Sequence, residues 1–270
     1  MILQDIIQVI EAYAPRELQE SYDNAGLQCG NPHQEVSRVL TCLDVTEATI
    51  EEAHRLGCQL VVSHHPVLFR GTKCINPEAD YISRVLILSI RYGIAIYSAH
   101  TNLDKATGGI NHHLASLLGL TDVRPMSDCG VYGLLPQPMT APELLAHIRQ
   151  CLRLTPEQPH SLRYNRDAYD RLMSAVDAAG RPRQLRSLAL CGGSGGDFIA
   201  EAEALGVDAY LTGELHYHAW FGHPALLLIE GGHFETEQHA PALLSQIIRR
   251  TFPSADCLVT SHHQSPCVEC

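Results

Sequence analysis

The sequence predicts an α/β protein built on mainly parallel sheets, and three observations lead there. Short apolar runs alternate with amphipathic stretches over residues 38–120, the pattern of strands joined by crossover helices. The same rhythm returns over residues 187–261. Between them, residues 125–186 carry Pro125, Pro136, Pro138, Pro142, Pro156, Pro159 and Pro182, which read as the entry into a second subdomain.

Taken in order, the chain opens with a helix over about residues 2–13, where Ile2, Leu3, Ile6, Ile7 and Ile10 share one face and Pro15 stops it. The polar, turn-rich stretch ESYDNAGLQCGNP reads as a loop. RVLTCLDV (38–45) is a buried strand and residues 46–57 a helix, with Thr46 as N-cap and Gly57 as stop. QLVVSH (59–64) is a strand, 79–93 a helix closing at Gly93, IAIYSAH (94–100) a strand and 108–120 a helix. The middle holds a helix over 141–152 and a strand or two. Then come a strand, a glycine-rich turn and a helix over 187–206, and strands at 207–214 and 225–233. An amphipathic helix at 236–252 and a last strand at 256–261 complete the chain.

Composition sets bounds on function. Hydrophobic residues at 45% and charged residues at 18% describe a globular protein rather than a disordered one. A formal net charge of −11 argues against an electrostatic grip on nucleic acid or an anionic membrane. Lysine occurs only at Lys73 and Lys105, so their locations carry information. The apolar runs are too short and broken to span a bilayer. The amphipathic start lacks a basic leader and a cleavage site, so a cytoplasmic location is expected. Ten cysteines then read as buried thiols or potential ligands. Sixteen histidines are many, and they cluster.

They cluster where strands end, which is where ligands bind in open parallel sheets. One strand ends in His64-His65-Pro66, the next at His100 followed by Asp104. Another runs into Glu214, His216 and His218, and another into His233, Glu235 and Glu237. Neighbouring residues on an extended chain face opposite ways, so His64 and His65 diverge and suit two adjacent ions better than one. If a helix begins at His233, Glu237 lies four residues on along the same face, and its carboxylate has two oxygens to share. Imidazole and carboxylate donors suit zinc, manganese, iron or nickel. Two such ions activate a water and clamp a phosphate or carbonyl oxygen.

Other features have plainer readings. His54, His112, His113, His147, His160 and His239 are expected to be structural hydrogen-bonders. Lys73 and Lys105 could each hold a substrate phosphate; the plainer alternative is a solvated lysine. CGGSGGDF lacks GK[ST] and does not fit G-x-G-x-x-G. A tight strand-to-helix turn explains it equally well, and anion binding by its amides stays open.

In order, the motifs SYDNAGLQCG, SHHPVLFRGTK, HTNLD, CGGSGG, YLTGELHYH and GHFETE resemble the Nif-three-like dinuclear metal-centre family, whose members are often described as GTP cyclohydrolase I type II homologues. The resemblance runs from residue 21 to residue 237. It implies two α/β subdomains, 1–125 plus 231–270 and 126–230, a metal site in the cleft between them, and a ring-shaped homohexamer. It also implies that His64 and Asp104 hold one metal, that His65 and His233 hold the other, and that Glu237 bridges them. Two departures stand out: Tyr22 replaces the usual Trp, and Glu214 replaces a common Asp. The inserted middle domain of some relatives has no room here.

The expected function is therefore a dinuclear-metal-dependent hydrolase of a nucleotide-like substrate, with the GTP cyclohydrolase type as one version and a phosphoesterase as an alternative. Ring opening needs proton transfer, for which Glu235, Glu214, His100 and His218 are candidates. Lys73, Asn102 and Glu214 are the candidates for substrate binding. A protein of another class, a metal-handling, chaperone or adaptor protein without turnover, would use the same ligands. The cluster His262, His263, Cys267 and Cys270 reads as a surface tail, or as an accessory soft-metal clasp.

Overall fold

The computed structural model describes residues 1–127, 129–153, 162–176 and 180–267. Pro156, Pro159, His160 and Cys270 lie outside the described residues. In chain order the elements begin with α1 (Leu3–Tyr13), β1 (Gly26–Cys29), β2 (Arg38–Cys42), α2 (Glu47–Arg55) and β3 (Leu60–Ser63). Next come α3 (Tyr81–Tyr92), β4 (Ala95–Ser98), α4 (Thr101–Lys105), α5 (Ile110–Leu117), β5 (Thr121–Pro125) and β6 (Val131–Met139). They continue with α6 (Ala141–Cys151), β7 (Arg163–Tyr164), α7 (Arg166–Ser174), β8 (Leu185–Cys191) and α8 (Ile199–Ala204). The chain finishes with β9 (Ala209–Thr212), β10 (Leu227–Glu230), α9 (His233–Glu237), α10 (Ala240–Thr251) and β11 (Asp256–Val259). Among the described residues, no helix is long and apolar enough to cross a membrane.

The chain divides into two compact units, Met1–Gly109 with Gln238–His263, and Ile110–Glu237 with Gln264–Cys270. The first holds a five-stranded sheet in the order β1-β4-β3-β2-β11. Its strands run parallel except β1, which pairs antiparallel with β4 at one edge. Every residue of β3 and β4 is buried, as expected for strands covered on both faces. Leu40, Val61 and Ile96 form one core layer with Ile50 of α2 and Val85 of α3. Helix α1 buries Leu3, Ile6, Ile7 and Ile10 and packs beside α10. Local signals fix the helix ends: the Thr46 hydroxyl accepts the Thr49 amide at the start of α2, and Asp80 accepts the Ser83 amide at the start of α3.

The second unit holds a six-stranded sheet in the order β5-β6-β8-β9-β10-β7. Only β8, β9 and β10 are mutually parallel; β5, β6 and β7 join antiparallel. Its strands show the two-residue period plainly. Leu188, Leu190, Leu211, Leu227 and Ile229 enter one core layer with Leu144 and Ile148 of α6. Ala189, Cys191, Tyr210 and Leu228 enter the opposite layer with Ala202 of α8.

Three elements differ from the sequence reading. Part of the expected loop is the edge strand β1, whose register shifts between Leu27 and Cys29. Asp104, placed by the sequence only after the strand that ends at His100, sits on a short helix, α4, for which no element was expected. The expected helix over 236–252 is two helices, because Pro241 has no N–H to offer the Glu237 carbonyl. Breaking the helix places that proline in the first turn of α10, where no such bond is required.

Candidate metal centre

In the first unit, strand register lines up the chemistry. The parallel ladders pair Cys42 with Ser63 and Ser63 with Ser98. Two residues beyond each, past the carboxyl ends of β2, β3 and β4, come Asp44, His65 and His100, in one row across three strands. The His65 Nδ1–H donates to Asp44 Oδ1 at 2.8 Å, and the His100 Nδ1–H donates to Asp23 Oδ1 at 2.8 Å. His64 is completely buried, and its Nδ1–H donates to the Ala99 carbonyl at 2.8 Å. A carbonyl oxygen only accepts, so the His64 proton is fixed on Nδ1 and the lone pair on Nε2. The two carboxylates impose the same tautomer on His65 and His100. Imidazoles whose Nδ1 is held by a carbonyl or carboxylate are the usual form of metal-binding histidine.

The three rings lie with centroids 5.1, 5.3 and 5.6 Å apart, and one ligand atom from each falls within 4.8 Å of the others. Asp104 joins them from α4, its Oδ1 3.5 Å from His64 Nε2. With the His64 proton on Nδ1, these two atoms are both acceptors, and a facing pair of acceptors attracts a shared cation, a proton or a metal ion. The donor set therefore fits a divalent transition metal.

The support behind the row is acidic. Burial pushes the Asp23 carboxyl up, but hydrogen bonds from His100 and Thr101 outweigh it and hold its pKa at about 2. The same carboxylate accepts the Thr101 amide and hydroxyl, which anchors the first turn of α4. Asn102, expected to touch substrate, is completely buried. Its Oδ1 accepts the His100 amide at 2.9 Å, and its Nδ2 donates to the Ala14 carbonyl at 2.7 Å.

In the second unit, α9 presents a matching pair. His233 Nε2 lies 3.1 Å from Glu237 Oε2, four residues on, and His233 Nδ1 lies 3.4 Å from Glu214 Oε1. The Glu237 side chain is only 4% exposed. The glycine-rich turn after β8 makes room for it. Gly193 has φ +61°, and a Cβ there would meet Glu237 Oε1 at 2.3 Å. A Cβ on Gly213 would meet the Gly193 carbonyl at 2.5 Å and the His233 Cα at 2.9 Å. The amides of the turn are committed within the protein: Gly192 to Asn111 Oδ1, Gly193 to Thr236 Oγ1 and Gly195 to Thr212 Oγ1. CGGSGGDF is thus a close-packing turn against α9, and these three amides are not directed at an anion.

Of the remaining candidates, Glu235 and Glu214 adjoin His233, and the others lie elsewhere along the chain. Glu235 is buried on α9 and Glu214 is exposed. His218 is exposed on the short 3-10 turn Tyr217–Trp220, edge-on to Tyr217. Lys73 is exposed four residues past Phe69. Lys105 is paired with Glu20, Nζ to Oε1 2.6 Å. His54 stacks on Tyr92 and His147 donates to the Leu118 carbonyl, both structural uses. In the tail, His263 donates to the Gln238 carbonyl at 2.7 Å, while His262 and Cys267 are exposed. Sequence reasoning missed Asp44 and Asp23. Asp44 was legible in principle, since it ends the strand before the one that carries His65; Asp23 comes from the turn-rich segment before the unforeseen β1.

A family model described as Duf34/NIF3 (NGG1p interacting factor 3) matches residues 1–266. A Clostridium perfringens protein described as "GTP cyclohydrolase 1 type 2 homolog" is 31% identical over 277 residues, covering 98% of each chain. A Streptomyces coelicolor protein with the same description is 35% identical over 249 residues, covering 87% of this chain and 81% of its own. The crystal structure of a Bacillus cereus protein described as related to NIF3 matches with a TM-score of 0.86 at 20% identity, across 100% of this chain and 99% of that one, a likeness of fold. Matched from end to end by sequence and by fold, the chain belongs to the Duf34/NIF3 family.

Proposed function

We propose that His64, His65, Asp104, His233 and Glu237 together hold two divalent transition-metal ions, zinc, manganese, iron or nickel, and that the protein hydrolyses a nucleotide-like substrate. The observation that carries the reading is the pair His64 and His65 past the end of β3, each with its Nδ1 proton committed so that Nε2 carries the lone pair. The His233–Glu237 pair supports it as a second, complementary set. His64 with Asp104 would hold one ion and His65 with His233 the other, with Glu237 shared. Bound there, the ions would supply Lewis-acid polarisation and a more acidic water.

The chain's own groups do the rest. Asp44 and Asp23 keep the imidazoles oriented. Glu235, His100 and His218 are the candidates to move protons, and Lys73 and Glu214 to contact substrate, while Asn102 braces the backbone of His100. The description of the relatives as GTP cyclohydrolase homologues favours a purine nucleotide. Family membership also supports a homohexamer, which sedimentation velocity would measure.

The test is formate release from GTP by protein loaded with manganese or zinc. Turnover abolished by His64→Ala supports the reading. Absence of turnover on GTP and on a phosphoester panel, with rapid loss of metal to a chelator, favours a metal-handling protein instead.

A further inference from the structure

Beside the imidazole row stands an aromatic rim that none of these roles uses. Phe69 is 42% exposed and Tyr22 is 65% exposed, unusual exposure for large aromatic side chains grouped together. They are contiguous with the row: the Phe69 ring meets His100 edge to face at 5.8 Å and 87°, and Tyr22 meets Phe69 at 6.3 Å and 76°. Polar bonds lock the two loops that carry them. Asn24 Nδ2 donates to the Leu68 carbonyl at 2.9 Å, the Leu68 amide donates to Gln28 Oε1 at 3.2 Å, and Gln28 Nε2 donates back to the Asn24 carbonyl at 2.6 Å. A rim held this way keeps its exposed ring faces before any ligand arrives, which lowers the ordering cost of binding. Exposed Arg70 follows Phe69 directly and exposed Lys73 comes four residues past it, in a chain of net charge −11.

We propose that Tyr22 and Phe69 form the seat for a planar heteroaromatic ring, the base of a nucleotide, with its phosphate directed to Arg70 and Lys73. This rests on the nucleotide reading above and adds to it the subsite that selects for a ring. Aromatic faces stack on any base, so the seat recognises ring class rather than one base. The arginine and lysine that follow Phe69 in the same loop would supply the charge for the phosphate.

Calorimetric titration of the purified protein with GMP, AMP and ribose 5-phosphate tests it without any need for turnover. Both nucleotides should bind at least about tenfold more tightly than the ringless sugar phosphate. Phe69→Ala and Tyr22→Ala should each weaken GMP by roughly fivefold to a hundredfold, with ribose 5-phosphate unaffected and metal content by elemental analysis unchanged. Phe69→Trp should retain GMP binding and serves as the folded control. Failure of the wild type to bind either nucleotide, equal binding of GMP and ribose 5-phosphate, or alanine variants that keep wild-type GMP affinity would each overturn the proposal. A drop in sedimenting mass with GMP affinity intact would reassign the rim to contact between copies of this chain. If the ring binds as described but no substrate turns over, the hydrolase reading fails and the seat stands.

Discussion

Gly193→Ala tests the second ligand pair without touching a ligand. Two effects follow from one methyl group. The backbone at φ +61° is left-handed, which costs an L-residue about 1–2 kcal/mol. The new Cβ would also sit 2.3 Å from Glu237 Oε1, 3.2 Å from its Cδ and 3.4 Å from His233 Nε2. The Glu237 carboxylate is buried, so it must retreat by about an ångström, enough to spoil a ligand geometry that tolerates only tenths. Gly206→Ala separates the two effects. Its φ is +68° with nothing within 4 Å, so it carries the backbone strain alone. Calorimetry should show both variants melting roughly 3–6 °C lower. Competition with a chromogenic chelator should show metal affinity falling by roughly 10–100-fold in Gly193→Ala only. Equal metal affinity in the two variants would refute the placement of Glu237 as a ligand.

Two further predictions concern carboxylates behind the surface. The Glu52 side chain on α2 is 4% exposed and accepts the Thr260 hydroxyl and the amide and hydroxyl of Ser261; Glu52→Gln should cost about 2 kcal/mol in urea unfolding at neutral pH. Burial raises its pKa, but those hydrogen bonds outweigh it and hold it below the ordinary 4.5. The charge therefore stabilises fully above that value, and the gap between wild type and variant should close as pH falls through the lower folded-state pKa; a gap that widens in acid would contradict this. Asp23→Asn should release the His100 tautomer, seen as a change in its imidazole 15N shifts, and loosen the first turn of α4, which carries the ligand Asp104, weakening metal binding by roughly tenfold; unchanged 15N shifts would remove Asp23 from its positioning role.

How much could be read from the chain depended on how local the signal was. Strands β2, β3 and β4 are continuous apolar runs because both faces are covered, and their helices carry their own caps at Thr46 and Asp80. His64, His65, His100 and Asp104 were visible because chemistry collects past the ends of such strands. Strand β1 was not, because an edge strand with Gln28 and a register shift has little apolar periodicity. Helix α4 owes its first turn to Asp23, a residue 78 positions away from Thr101, which no local pattern reveals. The handover to the second unit at Ile110 passes unmarked, since α5 continues the strand-helix rhythm while packing on β6 and β8. The glycine-rich turn was ambiguous for a similar reason: its glycines answer to Glu237 and His233, some forty residues on.

The central claim is that five side chains hold two metal ions. Elemental analysis of the protein after loading with manganese or zinc and removal of excess metal measures this directly, alongside Asp104→Ala and Glu237→Ala. Two ions per chain are expected in the wild type and fewer in each variant. One ion or none in the wild type, or a full complement in both variants, would contradict it.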